Sequence, residues 1–194
     1  GTVNVSGGKA IHNGSYQVTG TTEVEYGELQ LLGNVTSLGS SVAVTGGTLE
    51  VGSDVTVQGN GSLSGGTITG TGQLVFTGTF TWNGGTLSGP GALVIPDGAT
   101  LVIGSAYSKT LQSRTVSIAG TARWEGTGNI SSGQGATVNV QPTGLFEISS
   151  DQSFYFNLGG NATVFNNAGI VRKTAATGTT RFSSVVFNNS GTLA

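Results

Sequence analysis

Apolar residues in this chain come in short runs that alternate with polar ones, and glycine-rich punctuation separates the runs. The cleanest stretch is Val44 to Ile103. Within it, Gly46-Gly47-Thr48-Leu49 recurs as Gly65-Gly66-Thr67-Ile68 and as Gly84-Gly85-Thr86-Leu87, at the same interval both times. Each copy leads into a second apolar run: Val55-Thr56-Val57, Leu74-Val75-Phe76 and Leu93-Val94-Ile95. Alternation with a period of two is the signature of a strand. A fixed repeat of about 20 residues is the signature of a stacked architecture. Leu49 and Val51 point one way, Thr48 and Glu50 the other. Beyond the turn Gly52-Ser53-Asp54, Val55 and Val57 point inward and Thr56 outward. One period therefore holds two clear strands, a short third one and three turns. That is one coil of a parallel β-solenoid, whose apolar face is buried only when coils stack. The expected fold is all-β: a single-stranded, right-handed parallel β-helix of about nine coils of about 19–22 residues, forming one domain over 1–194.

The constant interval also predicts which side chains stack. Thr48, Thr67 and Thr86 should form an outer ladder, with Glu50, Thr69 and Ser88 beside it and Leu49, Ile68 and Leu87 inside. Alternation places Val75, Val94 and Val102 outward, next to inward Leu74, Leu93 and Leu101. This predicts one wall that is apolar on both faces, a candidate contact surface. The paired glycines at 46–47, 65–66 and 84–85 read as turn residues that supply positive φ.

The flanks are less periodic. Residues 1–43 read as irregular N-terminal coils, with strands at Val3-Asn4-Val5, Tyr16-Gln17-Val18, Glu23 to Tyr26 and Leu29-Gln30-Leu31, and with Lys9 and His12 in a stretch between strands. Residues 44–105 are the regular coils. Residues 106–194 are looser and rich in Phe and Asn. The separation of Trp82 from Trp124 fits two coils of about 21 residues each, and a core role for both. Phe165-Asn166-Asn167-Ala168-Gly169 recurs one coil on as Phe187-Asn188-Asn189-Ser190-Gly191. Stacked Phe inside and stacked Asn in the turn are expected. The one stretch with any helical character, Ala175-Ala176, is too short to form a helix.

Composition changes this picture in three ways. Gly is 35 of 194 residues and charged residues are only 8%, so the surface must be built of Ser, Thr, Asn and Gly. Cys is 0, which excludes disulfides and thiolate metal sites, and no cofactor is expected. No apolar run approaches the ~18 residues of a membrane span, and a net charge of −2 gives nucleic acid no basic surface to bind. The chain lacks Met even at its first position, which reads as processing or excision from a longer protein. Lys9 against Glu23, Glu25, Glu28, Glu50, Asp54 and Asp97 gives residues 1–104 a balance of −5, and residues 105–194 carry +3. Opposite charge on the two halves, with the repeat running to the C-terminus, predicts end-to-end self-association or neighbouring solenoid coils as partners.

Chemical candidates are sparse. His12 is the one histidine, with no G-x-S-x-G elbow to serve. Glu23 and Glu25 share a strand face about 6–7 Å apart, a carboxylate spacing that glycoside chemistry could use. Arg123 and Glu125 share a face and can pair. Asp54, Asp97 and Asp151 stand singly, unlike the acids of a calcium-binding repeat. Thr67-Ile68-Thr69 suits an ice-binding array, but its neighbours Thr48-Leu49-Glu50 and Thr86-Leu87-Ser88 break the pattern. Seven N-x-S/T sequons begin at Asn4, Asn13, Asn34, Asn60, Asn129, Asn161 and Asn188.

Over about residues 80–194, Trp82-Asn83-Gly84-Gly85-Thr86-Leu87-Ser88-Gly89-Pro90-Gly91-Ala92-Leu93, Leu111-Gln112-Ser113-Arg114 and Phe165 to Lys173 resemble repeats of large bacterial surface and secreted proteins. These are β-solenoids of the adhesin and autotransporter type. The resemblance implies a structural segment of an extracellular fibre, filament or adhesin stalk at the cell surface, with no catalytic residues. A carbohydrate-binding or polysaccharide-cleaving β-helix module, with surface polysaccharide as its partner, is the alternative. An ice-binding protein is the second.

Overall fold

A computed structural model describes residues 1–194, and it contains strands, turns and no helix. The chain winds as a β-solenoid of about nine turns, with three short strands to each coil. Like strands of successive coils pair in parallel into three long walls. The first wall has 10 strands, from Val3–Val5 to Thr192–Leu193. The second has 9, from Lys9–His12 to Arg181–Ser183. The third has 7, from Val55–Val57 to Val186–Asn189, and Tyr16–Val18 with Val35–Leu38 forms a separate pair of strands earlier in the chain. Nine steps of about 4.8 Å along the first wall make a rod about 43 Å long.

Alternation and burial agree strand after strand. Thr48–Val51 and Thr100–Ile103 both bury their second and fourth residues. The predicted ladders form in register: Thr67 pairs with Thr48 and Thr86, and Ile68 with Leu49 and Leu87. The inward residues make one continuous core of 40 side chains, from Val5 to Val171. Its filling is complementary in size. Gly61 lies below Phe80 in register, where a side chain would collide with the rings of Phe76 and Phe80, and Ala122 lies below Phe146. Trp82, Ile103 and Trp124 occupy consecutive inward positions, and both tryptophans are fully buried. A small void of about 10 Å³ beside Trp82 is lined by ten hydrophobic residues. It offers a water molecule none of the polar partners it needs.

The structure corrects four details. Lys9–His12 is a strand, paired residue for residue with Glu28–Leu31, so Lys9 and His12 do not lie between strands. In the N-terminal coils Tyr16–Val18 and Val35–Leu38 pair apart from the third wall. The only slip there is a bulge between Tyr16 and Gln17. Val75 and Val94 do stack on the third wall, but Val102 belongs to the first wall, between Thr81 and Arg123. The chain turns a corner at Pro96 to Ala99, which alternation along the sequence does not register. The Asn pairs sit within strands rather than in a turn: Asn166 pairs with Asn188, and Asn167 with Asn189. Of the second glycines, Gly66 and Gly85 have φ of 66° and 75°, whereas Gly47 is not left-handed. All three nevertheless face the coil below so closely that an added Cβ would strike a backbone carbonyl, of Gly27, Gly47 and Gly66 respectively. Close stacking of corner on corner is thus the shared reason for glycine at this position. Most of the positive charge of residues 105–194 is internal or paired: Lys109 and Arg114 are buried, Arg123, Arg172 and Lys173 each pair with an acid, and Arg181 is exposed.

Candidate functional site

The predicted apolar contact wall shrinks to two rungs. Val75 and Val94 are half-buried, flanked in register by Thr56 on one side and Ser117 on the other. Outward apolar pairs recur further along, at Val164 and Val186 on the third wall and at Leu145 and Ile170 on the first, and polar ladders cover most of the rest. On the third wall, Asn166 donates to Asn139 and accepts from Asn188, at 2.8 and 2.9 Å. On the second wall, Gln30 donates to both Glu28 and Glu50, at 2.8 and 2.7 Å, which accommodates two carboxylates on neighbouring rungs. Such side-chain ladders fix the register of parallel strands, because a slip of one residue would break every rung.

The titratable candidates are dispersed. His12 contacts the Ser15 carbonyl at 2.9 Å and packs edge-on against Tyr16, with no acid bonded to it that could orient the ring. Glu25 accepts a hydrogen bond from Asn4, and Arg123 pairs with Glu125 at 3.7 Å on the surface. No group of three or more metal-ligating side chains comes together. The Thr67–Thr69 face runs into Glu50 and Gln30, so the ladder that suggested ice binding does not extend toward the N-terminus.

Two buried cations were missed in the sequence. The Lys109 ammonium donates to the carbonyls of Gly104, Ser105 and Tyr107, the last at 2.8 Å. The Arg114 guanidinium donates to Ser88 and Gly72 carbonyls, at 2.5 and 3.1 Å, and so ties three coils together. Burial pushes Lys109 down to about 8 and Arg114 down to about 10. Both cations sit where the repeat loses its even length: Lys109 pairs with Gly85, a longer step back along the chain than any between the glycine pairs. There the corners carry left-handed Ser105 and Ser113, at φ 59° and 57°, in place of stacked glycines. The ammonium and guanidinium give these corner carbonyls hydrogen-bond donors, and the Ser105 carbonyl also accepts from the Gly128 amide. A signal for both existed in the sequence. Lys109 has the parity of inward Leu111, and Arg114 that of inward Val116 and Ile118.

Near the C-terminus, Lys173 donates to Asp151 at 2.5 Å, to the Ser150 carbonyl at 2.9 Å and to Thr180 at 3.1 Å. The hydrogen bond from Lys173 holds the Asp151 carboxyl below its ordinary value. Asp151 also accepts from the Gly178 amide, so the cluster fastens the loop before Arg181–Ser183.

The arrangement defines a parallel β-solenoid with polar ladders on its walls. Comparison with protein-family models, with curated proteins and with solved structures found no match to this chain. No helix is long and apolar enough to cross a membrane.

Proposed function

We propose that this chain is a structural segment of an extracellular fibre, filament or adhesin stalk, a rod that separates and displays other parts and performs no catalysis. The observation that supports this reading is the continuity of the core. Forty inward side chains form one cluster along the rod, and three ladders of parallel strands enclose it. Each coil contacts mainly its neighbours, so such a unit lengthens by adding coils without changing its cross-section. Walls built mainly of Ser, Thr and Asn, with their few charges largely paired or hydrogen-bonded, suit prolonged contact with water.

Electron microscopy of the native assembly tests this. The expected image is a rod of constant width, with the ~4.8 Å axial repeat of stacked strands in its diffraction. Discrete compact particles that turn over a polysaccharide would overturn the reading.

A further inference from the structure

The corner between the first and second walls is not uniform along the rod. Its tip is occupied in successive coils by Tyr26, Gly46, Gly65, Gly84 and then the loop 104–108, which carries Tyr107. Tyr26 and Tyr107 are the two most exposed large hydrophobic residues, at 81% and 73%. Both lie against the glycine column. A Cβ at Gly46 would touch the Tyr26 ring at 3.5 Å, and one at Gly84 would touch the Tyr107 Cβ at 3.5 Å. Gly65 lies bare between them. From Tyr26 to Tyr107 is four rung steps, about 19 Å along the axis. Between the two tyrosines the corner presents a backbone floor, exposed at Gly46, half-buried at Gly65 and buried at Gly84, with exposed Thr45 and Ser64 and half-buried Asn83 beside it.

Tyr107 stands on a rigid base. Lys109 is fully buried, and its ammonium holds the carbonyls of Gly104, Ser105 and Tyr107. The Tyr107 amide donates to the Ser105 hydroxyl at 3.2 Å, and that hydroxyl donates to the Asn83 carbonyl at the same corner. A buried ammonium carries a desolvation cost. Here it fixes a short loop whose most exposed large side chain is an aromatic ring. A ring held in place before a ligand arrives loses little entropy on binding.

We propose that this corner binds a neutral glycan lying along the rod axis. The C–H faces of sugar rings would stack on Tyr26 and Tyr107, and sugar hydroxyls would bond to Thr45, Ser64, Asn83 and the backbone between them. Tyrosine suits such a ligand because it pairs an apolar face with a polar tip. The floor carries no cation that would select an anion. The amides that lead out of this corner are already paired, Thr48 to Gly27, Thr67 to Gly47 and Thr86 to Gly66. A peptide would therefore find no open sheet edge here to join as a strand. The proposal goes beyond the stalk reading and stands without it.

Neutral hexasaccharides of the β-glucan, mannan and chitin types, titrated into the folded chain and followed by NMR and calorimetry, test it. At least one should bind and shift the ring resonances of Tyr26 and Tyr107. Tyr26→Ala and Tyr107→Ala should each weaken binding about tenfold, Tyr107→Phe should retain it, and Ser64→Arg should block the floor. Tyr155→Ala, on the second wall, should bind as the parent does. Thermal melts of the exposed Tyr variants should match the parent, so that lost binding is not lost folding. The proposal fails if no hexasaccharide binds at millimolar concentration, if binding survives both alanine substitutions, or if a proline-rich peptide binds this corner and the glycans do not.

Discussion

The even coils between Val44 and Ile103 and the coils beyond Ser150 share one backbone plan but hold it by different means. In the first region the interior is largely aliphatic, with Leu49, Ile68 and Leu87 stacked, and the corners are glycine against glycine. In the second, Phe154, Phe165, Phe182 and Phe187 fill the interior. The rings of Phe165 and Phe187 stack at 5.0 Å and 6°, and Phe182 meets both edge-on. Asparagine amides there add a bonded ladder beside corner glycines that still stack, Gly169 on Gly144 and Gly191 on Gly169: Asn167 donates to Asn189 at 2.6 Å and to the Thr192 carbonyl at 3.0 Å, and accepts from the Gly169 amide. The difference teaches that the ladder itself is permissive. Register is fixed in the first region mainly by what backbone contact excludes, and in the second also by what side chains bond.

That contrast can be broken in graded steps. The largest effect is expected from Gly66→Val. It places a β-branched residue at φ 66° and drives its Cβ into the Gly47 carbonyl. Strain and overpacking together should cost about 4–5 kcal/mol, and urea melts should find the chain unfolded or nearly so. Ser64→Val, on the exposed side of the same corner, should change stability by under about 0.5 kcal/mol. Next is Phe165→Ala, which removes the centre of the aromatic stack and should cost about 3–4 kcal/mol in the same melts. Asn167→Ala should cost about 1–3 kcal/mol, since it leaves the Gly169 amide without its partner. Hydrogen exchange at Gly169 should rise in that variant while exchange at Gly66 stays slow.

An effect of a different kind is a pH dependence confined to the junction between the two regions. Lys109 has a folded value of about 8 against 10.5 when unfolded. Between those values the unfolded chain binds more protons, so the contribution of Lys109 to stability should rise as pH climbs from about 8 to 10.5. Subtracting the melts of Lys109→Met from those of the parent isolates this contribution. A flat difference across that window would show that the three carbonyls hold the ammonium as well as water does.

Much of this fold was legible because its two periods are independent. Alternation by two told inward from outward for Leu49, Thr67 and Trp82. Recurrence of the glycine pairs told which residues stack. Neither period identifies the wall on which a strand lies, so Val102 was grouped with Val94 although a corner separates them. Nor does local pattern reveal a strand at the N-terminal coil, where Ala10 and Ile11 remain exposed and only pairing with Glu28–Leu31 defines Lys9–His12. Lys109 and Arg114 were missed because charge was weighed before parity. The tyrosine corner was missed because Tyr26 and Tyr107 are far apart in the sequence and join only through the stacking of the coils between them.

The direction of the inter-coil hydrogen bonds has a mechanical consequence. They run along the rod axis, so a pull between the two ends opens them a rung at a time and does not shear many at once. Each coil released would give up about 4.8 Å of rod and return a tether of roughly 60–70 Å. Under load the chain would then behave as a stiff spacer up to a threshold force, and as a stepwise shock absorber beyond it.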